Sequence, residues 1–576
     1  MIKSLYILLI CASVGLSASE NQLFSQLLQT ELEQKQISLA QALTIELLAL
    51  RDPDQLPDRY DHLANKNEIR RNATLLRQQV LRHWSTFSRG EKSRLTPLMS
   101  RPSKTRLPES LVTDSGLFKI HFTLSGSDAT TMEFVRATAA ALDSVYDYQI
   151  KVLKYDAPPQ DYNQHGPEYD LYILNYAEYG GTTPETPVFE TDRPYDYTSW
   201  IEIDNDFSHT PTKGLAAMRV TVAHEFFHMV QMGYRAIHTT ALDATFLYES
   251  SATWMEDVIY ENVNDYVYYL YELFTYPSMP FYRSNGLREY ANSLYWHMIE
   301  KKHGKDLVRS FWQALSEESV FQALDNALAV SNSTLQQSLV QYAIWLIFTG
   351  DRAYPDKYFP EGEMYPEITP DNSYEFSEDI TWQAGNYQGV SRYFLLRPEL
   401  NGPYILEPDF ERYNGQYLIF VPLVDKDAAP VVIGGNSKET VQVQGDFMVI
   451  TLNTILPETN FSQDVIPYTI TFTPGQLPHS DDEPLFVYPN PYVPAHHDMI
   501  TVRFELSTET NNVRVLILDQ NHRIVLQESL NWCSRGYNTY RWNGTNMHND
   551  PVASGHYFIW IQADQGFEPA KIAIIR

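Results

Sequence analysis

Two histidines and one glutamate in the segment TVAHEFFHMVQMGY (221–234) have the types and the spacing of a metal-dependent hydrolytic site. His224 and His228 stand four residues apart, so on a helix both imidazole rings lie on one face and can bind one Zn²⁺. Glu225 follows the first histidine and is placed to act as the general base that activates a water molecule. The pattern therefore predicts a zinc-dependent hydrolase with a buried active-site helix.

A zinc site of this kind needs a third protein ligand, and the segment FLYESSATWMED (246–257) supplies carboxylate candidates. Glu249 is the favoured ligand, and we expect it to open a helix. Glu256 is the alternative; it lies two helical turns further on, about 10 Å along the axis, so both glutamates can hardly bind one ion. His238 is close in sequence but falls in a predicted loop, which makes it the weakest of the three candidates.

The arrangement resembles the gluzincin metallopeptidases, in which two histidines of HExxH and a glutamate on the following helix hold zinc. Glu249 and Ala252 match the Glu-x-x-Ala context of the aminopeptidase-like members, although Ser250 stands where that group has glycine. The chain resembles more closely the secreted bacterial metalloproteases of the MXAN type. The matching segments are DSGLFKIHFTLSGSDA, HEFFHMVQMGY and ESSATWMEDVIY. The resemblance implies a zincin-like catalytic domain whose zinc ligands are His224, His228 and Glu249.

A tyrosine is the expected stabiliser of negative charge on the reacting carbonyl oxygen, because zinc hydrolysis passes through an oxyanion. In aminopeptidase-like gluzincins this tyrosine begins a helix, and the run from Tyr290 to Gly304 resembles that pattern. The resemblance therefore favours Tyr290. Tyr295, Tyr268 and Tyr269 remain as alternatives in the same tyrosine-rich region.

The elements that must position these residues are indicated by hydrophobic periodicity within residues 109–350. Alternating apolar residues predict strands at 118–124, 169–174 and 199–206. A period of 3.6 residues predicts a helix from Leu215 to Met232 that Gly233 should end. Further helices are predicted at about 132–152, 249–274, 290–303, 307–315 and 335–348. Strands followed by helices indicate an α+β domain, and in gluzincins an edge strand at the position of 199–206 pairs with substrate.

The N-terminus has the pattern of a secretory signal peptide over residues 1–19. A basic residue, Lys3, precedes an apolar run that is too short to span a membrane, and small residues follow. Residues 20–108 show leucines at helical spacing and predict a helical N-terminal domain. Its place between a signal peptide and an enzyme suits a propeptide and a permanent packing domain equally.

The C-terminal part of the chain is predicted to be all-β. Short apolar runs separated by turn residues predict a β-sandwich over residues 351–480, and a Pro-, Asp- and Ser-rich stretch then marks a boundary. Within residues 484–576, the segments VYPNPYVP, WNGTNMHNDPVASGHYFIWI and AKIAIIR resemble the FlgD-type immunoglobulin-like (Ig-like) domain and the related C-terminal sorting domain of type IX secretion. The resemblance implies a secretion machinery as partner and export across a Gram-negative outer membrane.

Composition excludes several classes of function. The 576 residues carry a net charge of −29, which would repel nucleic acid and anionic membranes. Two cysteines, Cys11 and Cys533, exclude a disulfide framework and a zinc site built on several thiolates. Beyond the N-terminal run, no apolar stretch approaches about 18 residues, so no transmembrane anchor is expected.

These observations lead to the hypothesis of a secreted or cell-surface zinc metalloendopeptidase that acts on proteins or peptides. Two alternatives stay open. A surface adhesin would use its β-domains for binding and keep an inert metalloprotease-like domain, but it would have no need of the general base Glu225. An aminopeptidase would need an acidic anchor for the substrate amine, and no Gly-rich strand of that type is recognisable.

Overall fold

The computed structural model describes residues 20–576 except for thirteen short gaps. The gaps are 53–54, 62–72, 162–164, 189–196, 237–244, 426, 458–464, 475–484, 495–496, 498, 531, 564–565 and 568. The predicted signal peptide and the candidate ligand His238 therefore lie outside the described residues. Within the described part of the chain, no helix is long and apolar enough to cross a membrane.

The N-terminal region is built from short helices. They are α1 (Glu20–Glu33), α2 (Leu39–Arg51), α3 (Asp58–Asp61), α4 (Ala73–His83) and α5 (Arg89–Leu95). Two of these helices begin with a serine capping box, in which Ser38 and Ser88 accept from the backbone N–H three residues on. Apolar side chains of α2 and α4, such as Leu43 and Val80, pack together in a small core.

The central region opens with a five-stranded mixed sheet. Its strands are β1 (Glu109–Val112), β2 (Phe118–Phe122), β3 (Tyr169–Leu174), β4 (Gly180–Pro187) and β5 (Tyr197–Asp204), in the spatial order β1-β2-β3-β5-β4. The strands β2, β3 and β5 run parallel, whereas β1 and β4 are antiparallel edges. The strand predicted at 199–206 is therefore interior and does not take the edge position of the substrate-pairing strand in gluzincins. The edge beside the site is β4, whose sequence GGTTPETP has no apolar alternation.

Nine helices follow or cover this sheet in the described residues. They are α6 (Met132–Tyr146), α7 (Gly214–Arg235), α8 (Thr245–Ile259), α9 (Val267–Thr275), α10 (Arg288–Ala291), α11 (Ser293–His303), α12 (Asp306–Leu315), α13 (Val320–Ala329) and α14 (Leu335–Trp345). A π-helical turn extends α6 from Asp147 to Val152. The sheet, α7 and the later helices share one large hydrophobic core.

The helix α7 does not end at Gly233, contrary to the sequence-based expectation, but continues to Arg235. A side chain at position 233 would place its Cβ 3.0 Å from Pro159 Cδ. The glycine therefore serves a close approach between the helix and the segment Pro158–Pro159, and not helix termination. Similarly, Glu249 lies in the interior of α8 because that helix begins four residues earlier, at Thr245.

A β-sandwich follows the helices. Its strands are β6 (Asn372–Phe376), β7 (Ile380–Asn386), β8 (Ser391–Pro398), β9 (Gly402–Phe410), β10 (Gln416–Pro422), β11 (Val431–Gly434), β12 (Glu439–Val443), β13 (Phe447–Asn453) and β14 (Ile466–Pro474). Sheets of order β11-β10-β13-β8-β6 and β12-β9-β14-β7 enclose their own core. Side chains on the outer face of the first sheet, including Tyr393, Ile419 and Ile450, join the core of the helical region.

The C-terminal unit is a second sandwich with a separate core. Its strands are β15 (Leu485–Tyr488), β16 (Ile500–Leu506), β17 (Val513–Asp519), β18 (Ile524–Leu530), β19 (Gly536–Trp542), β20 (Gly555–Gln562) and β21 (Ala570–Ile574). They form sheets of order β15-β16-β19 and β18-β17-β20-β21. In β16 and β20, buried residues alternate with more exposed ones, as the sequence pattern predicts for a half-buried strand.

Candidate metal centre

Three side chains predicted to bind a metal converge between α7 and α8. His224 and His228 project from α7 toward Glu249 on α8, and their ligand atoms all lie within 4.8 Å of one another. Glu249 Oε2 is 3.1 Å from His224 Nε2 and 3.4 Å from His228 Nε2. Tetrahedral zinc with ligands at about 2.0–2.1 Å places neighbouring ligand atoms about 3.3 Å apart. The three residues therefore have the identity and the spacing that a zinc ion requires.

The outward nitrogens of both histidines are held by neighbouring side chains. His224 Nδ1 lies 2.7 Å from Glu256 Oε1, and His228 Nδ1 lies 2.6 Å from Gln231 Oε1. Such partners fix the ring orientation and leave each Nε2 pointing into the site. His228 Nε2 is buried, and Glu249 Oε2 lies 3.4 Å from it in a weak contact, so this nitrogen fits the role of a metal ligand. Glu256 contacts the far nitrogen of His224, whereas the Glu249 carboxylate lies with the two Nε2 atoms in the candidate ligand cluster.

Gln231 was not singled out from the sequence, although helical spacing identifies it. It stands three residues after His228 on the same face of α7. Its amide nitrogen donates to the Tyr248 carbonyl at 3.0 Å and to Ser251 Oγ at 3.1 Å, which orients its oxygen toward the histidine. Gln231 thus connects the metal-binding face of α7 to α8.

Charges within the site are strongly coupled because all three candidate ligands are buried. Burial opposes a charge on His224, but hydrogen bonds to Glu249 and Glu256 outweigh it and raise the pKa of His224 to about 10. Burial also opposes the charge on Glu249, yet the two neighbouring histidines lower the pKa of Glu249 to about 2. The two carboxylates therefore favour positive charge at this position, which suits a divalent cation.

The predicted base Glu225 lies beside these ligands with its carboxylate held by two hydroxyl groups. Thr182 Oγ1 on β4 donates to Glu225 Oε2 at 2.8 Å. Thr74 Oγ1 on α4 lies 3.3 Å from the same oxygen. Neither threonine carries a sequence signal, because they are separated from Glu225 by 43 and 151 residues. A pocket opens at this point, lined by Ala73, Thr74, Tyr179, Gly180, Thr221, His224, Glu225, His228, Glu249 and Tyr290.

Tyr290 also lines the pocket, with the centre of its ring 6.2 Å from that of His224. It belongs to the short helix α10, whose entry is fixed by Glu289. The Glu289 carboxylate accepts from the backbone N–H groups of Asn285 and Gly286, both at 3.0 Å, and burial raises its pKa to about 7. The structure therefore brings Tyr290 close to the candidate metal ligands.

The alternative tyrosines do not line the pocket. Tyr295 is buried elsewhere, with its hydroxyl 2.8 Å from Ser338 Oγ. Tyr268 is 61% exposed, and the Tyr269 hydroxyl lies 3.4 Å from Asp265 Oδ2. Of the four candidates, only Tyr290 lines the pocket that holds His224, His228 and Glu249.

A second cluster of potential ligands consists of His121, His165 and Asp170. His121 Nε2 lies 2.6 Å from Asp170 Oδ1, and the other oxygen of that carboxylate is ion-paired with Arg101. A guanidinium in contact with the cluster opposes a second cation there. This group is therefore interpreted as a buried polar network that ties Arg101 to the central sheet.

Comparison with known proteins finds two family models that match parts of the chain. Residues 211–349 match a family of unknown function (DUF6055), and residues 495–566 match the FlgD Ig-like domain. The second match confirms the predicted Ig-like fold of the C-terminal unit. The first covers α7 to α14 and therefore includes all the candidate ligands. No curated protein sequence matches the chain.

Solved structures similar to this chain share only small parts of it. PorZ, a surface component of the type-IX secretion system of Porphyromonas gingivalis, is 23% identical over 19% of this chain and 14% of its own, with a TM-score of 0.14. Latent PorU of the same organism is 14% identical over 36% of this chain and 19% of its own, also with a TM-score of 0.14. The pre-peptidase C-terminal domain of a Bacillus anthracis collagenase is 11% identical over 19% of this chain and 100% of its own, with a TM-score of 0.15.

Proposed function

We propose that the central region is a zinc-dependent peptidase that hydrolyses internal peptide bonds of proteins or peptides outside the cell. One observation carries the proposal: Glu225 lies beside three converging candidate metal ligands, in a pocket that Tyr290 also lines. Two histidines and one carboxylate form the ligand set of catalytic zinc sites that keep a position for substrate. This arrangement also resembles the gluzincin pattern seen in the sequence.

Each side chain of the site has a chemical role in this proposal. Bound zinc would polarise the scissile carbonyl and lower the pKa of a water molecule toward about 7. Glu225 takes the two protons of the attacking water in turn and delivers them to the leaving nitrogen, so that one water is consumed and a carboxylate and a protonated amine are formed. The Thr182 hydroxyl orients the Glu225 carboxylate. The Tyr290 hydroxyl donates a hydrogen bond to the carbonyl oxygen as negative charge develops there.

The proposal is tested by peptide hydrolysis under control of the metal. Protein recovered from the medium of secreting cells should digest casein, lose that activity with a chelator, and regain it when zinc is added back. Zinc is required because it is the only strong electrophile in the proposed site. Casein digestion that persists in chelator, at a measured zinc content near zero, would contradict a zinc mechanism.

We further propose that the C-terminal unit directs export and has no part in catalysis. The unit has a core of its own, and among its described residues there is no cluster of three potential metal ligands. A chain ending at Leu477 should therefore bind zinc and cleave peptides at the rate of the full chain, as measured by elemental analysis and peptide assays.

In the native host the same truncated chain should accumulate in the periplasm, detected by fractionation and immunoblotting. The full-length chain serves as the control. Normal export of the truncated chain would reject the sorting role and favour a binding role for this sandwich.

A further inference from the structure

The helix α4 covers the edge of the central sheet at the pocket. Thr74 Oγ1 accepts a hydrogen bond from the backbone N–H of Thr182 on the edge strand β4, at 2.9 Å. The same hydroxyl lies 3.3 Å from Glu225 Oε2. The backbone N–H of Ala73 donates to Glu178 Oε2 at 3.1 Å. The first turn of α4 therefore occupies both the free edge of β4 and the space beside the proposed base.

Arg77, one turn further along α4, is buried against the same sheet. It is 1% exposed and forms an ion pair with Glu202 of β5, which is fully buried. Its guanidinium also donates to the Tyr176 hydroxyl at 3.0 Å and lies 5.7 Å from the centre of the Trp200 ring. An acid, a phenol and an indole are together a recognition site for a guanidinium group.

Two glycines of β4 create the room for this contact. A Cβ at position 181 would lie 2.5 Å from Arg77 Nη1 and 2.8 Å from Ala73 Cβ. A Cβ at position 180 would lie 3.1 Å from Glu225 Cγ. Gly181 pairs with Glu202 in the strand register, so an arginine beside the edge strand reaches the carboxylate across a residue that has no side chain. Along β4, the Arg77 guanidinium therefore lies beside Gly181, and the proposed base Glu225 lies beside the preceding residue, Gly180.

The carboxylate of Glu202 depends on the N-terminal region for its charge partners. Among the described residues, its two ion-pair partners are Arg77 and Arg51 of α2, the latter at 3.3 Å. Arg51 is also tied to the carbonyl oxygens of Pro97 and Leu98. If α4 moves away, Glu202 Oε1 keeps Arg51, and Oε2 loses the guanidinium with which it is now paired. Such an acid strongly favours a new cation.

We propose that α4 occupies the peptide-binding edge of the cleft in the manner of a substrate, and that the Glu202 site accepts an arginine side chain of the substrate once α4 has moved away. This inference rests on the proposed peptidase function. It names arginine-containing peptides as the substrate class and the N-terminal helical region as the element that keeps the site closed. The surface under α4 supports it, because Glu178, Glu202 and Glu225 are all buried acids beneath that helix.

The test weakens the contacts of α4 with the rest of the full chain by substitution, and then compares the binding of two matched peptides. The chain with weakened α4 contacts is called the loosened chain. The double substitution Thr74→Val and Arg77→Ala removes the hydroxyl bonds to β4 and Glu225 and the ion pair to Glu202. The probes are two fluorescent peptides of identical sequence that contain either arginine or its neutral isostere citrulline. Arg82→Ala is the control, because it removes a half-buried cation from the same helix and leaves in place the ion pairs of Glu202 with Arg77 and Arg51.

Binding is measured in the Glu225→Gln background, so that it does not depend on hydrolysis. The loosened chain should bind the arginine peptide at least about tenfold more tightly than the citrulline peptide, and adding Glu202→Gln should abolish the difference. Chains with intact α4, including the Arg82→Ala control, should bind both peptides weakly. Equal binding of both peptides by the loosened chain would overturn the arginine site.

Hydrolysis is measured separately with Glu225 intact, which separates the failure of this inference from failure of the proposed function. The loosened chain should cleave the arginine peptide at least about tenfold faster than the unsubstituted chain does. Arginine-selective binding without hydrolysis would contradict the proposed peptidase function but support the arginine-binding site at Glu202. Hydrolysis that is insensitive to both α4 and arginine would reject the inference and retain the peptidase.

A second measurement covers the case in which the double variant does not fold. In the unsubstituted chain, the arginine peptide at millimolar concentration should increase hydrogen exchange of the α4 amides, because it competes with Arg77 for Glu202. The citrulline peptide should leave that exchange unchanged. Identical α4 exchange with both peptides would show that α4 is a permanent packing element.

Discussion

Replacing Glu225 with glutamine should lower peptide hydrolysis by about 10²–10⁴-fold while zinc content and melting temperature stay close to those of the parent chain. The amide has the size of the carboxylate and still accepts from the Thr182 hydroxyl, which now bonds the carboxylate at 2.8 Å. It cannot take a proton from water, so the substitution removes proton transfer and little else. The measurement is kcat/KM for a fluorogenic peptide, made on parent and variant with α4 loosened in both.

A matched control for this substitution is Glu261→Gln, which makes the same chemical change at an exposed position after α8. It should leave hydrolysis unchanged, since it lies outside the pocket-lining residues. A loss of less than about tenfold in Glu225→Gln would contradict the general-base role, because a positioned base contributes at least about a hundredfold.

Removing a ligand should abolish stoichiometric zinc binding. His228→Ala and Glu249→Ala each take away one of three protein ligands and leave a buried charge or dipole without its partner. Elemental analysis after dialysis should fall from about one zinc per chain to near zero in both variants. Hydrolysis should fall with the metal.

Glu256→Gln provides the contrast, because Glu256 holds the outer nitrogen of His224 and does not face the ligand cluster. It should still bind zinc, with an affinity reduced by about 10–100-fold, as found for residues that orient metal ligands. Full zinc in Glu249→Ala together with zinc loss in Glu256→Gln would make Glu256 the third ligand and contradict the present assignment.

The convergence of the candidate ligands could be predicted from the sequence because helical geometry links spacing to direction. His224 and His228 lie one turn apart, and Glu249 stands on the next long helix. Gln231 obeys the same rule, since a residue three positions on shares the face of His228. The strands β2, β3 and β5 were likewise predicted, because each carries a run of apolar residues that the sheet buries.

The edge strand β4 and the helix α4, which border the site, could not be predicted from local sequence patterns. The edge strand β4 has the sequence GGTTPETP, in which glycines and threonines replace the apolar alternation that marks a strand. Its partners Thr74 and Arg77 come from a helix about a hundred residues earlier, so no local pattern places them beside Glu225. Gly233 was predicted to end α7, but the helix continues past it. The glycine is needed there because a side chain would collide with Pro159.

Zinc anomalous diffraction from crystals of the full chain tests the central claim most directly. Data collected above and below the zinc absorption edge should give an anomalous peak about 2.0–2.2 Å from Nε2 of His224, Nε2 of His228 and a carboxylate oxygen of Glu249. The same crystals report on the buried network of His121, His165 and Asp170, where no peak is expected because Arg101 already neutralises the carboxylate. Absence of a peak between α7 and α8 in zinc-soaked crystals, or a peak at His121 instead, would contradict the assignment of this pocket as a metal-dependent hydrolytic site.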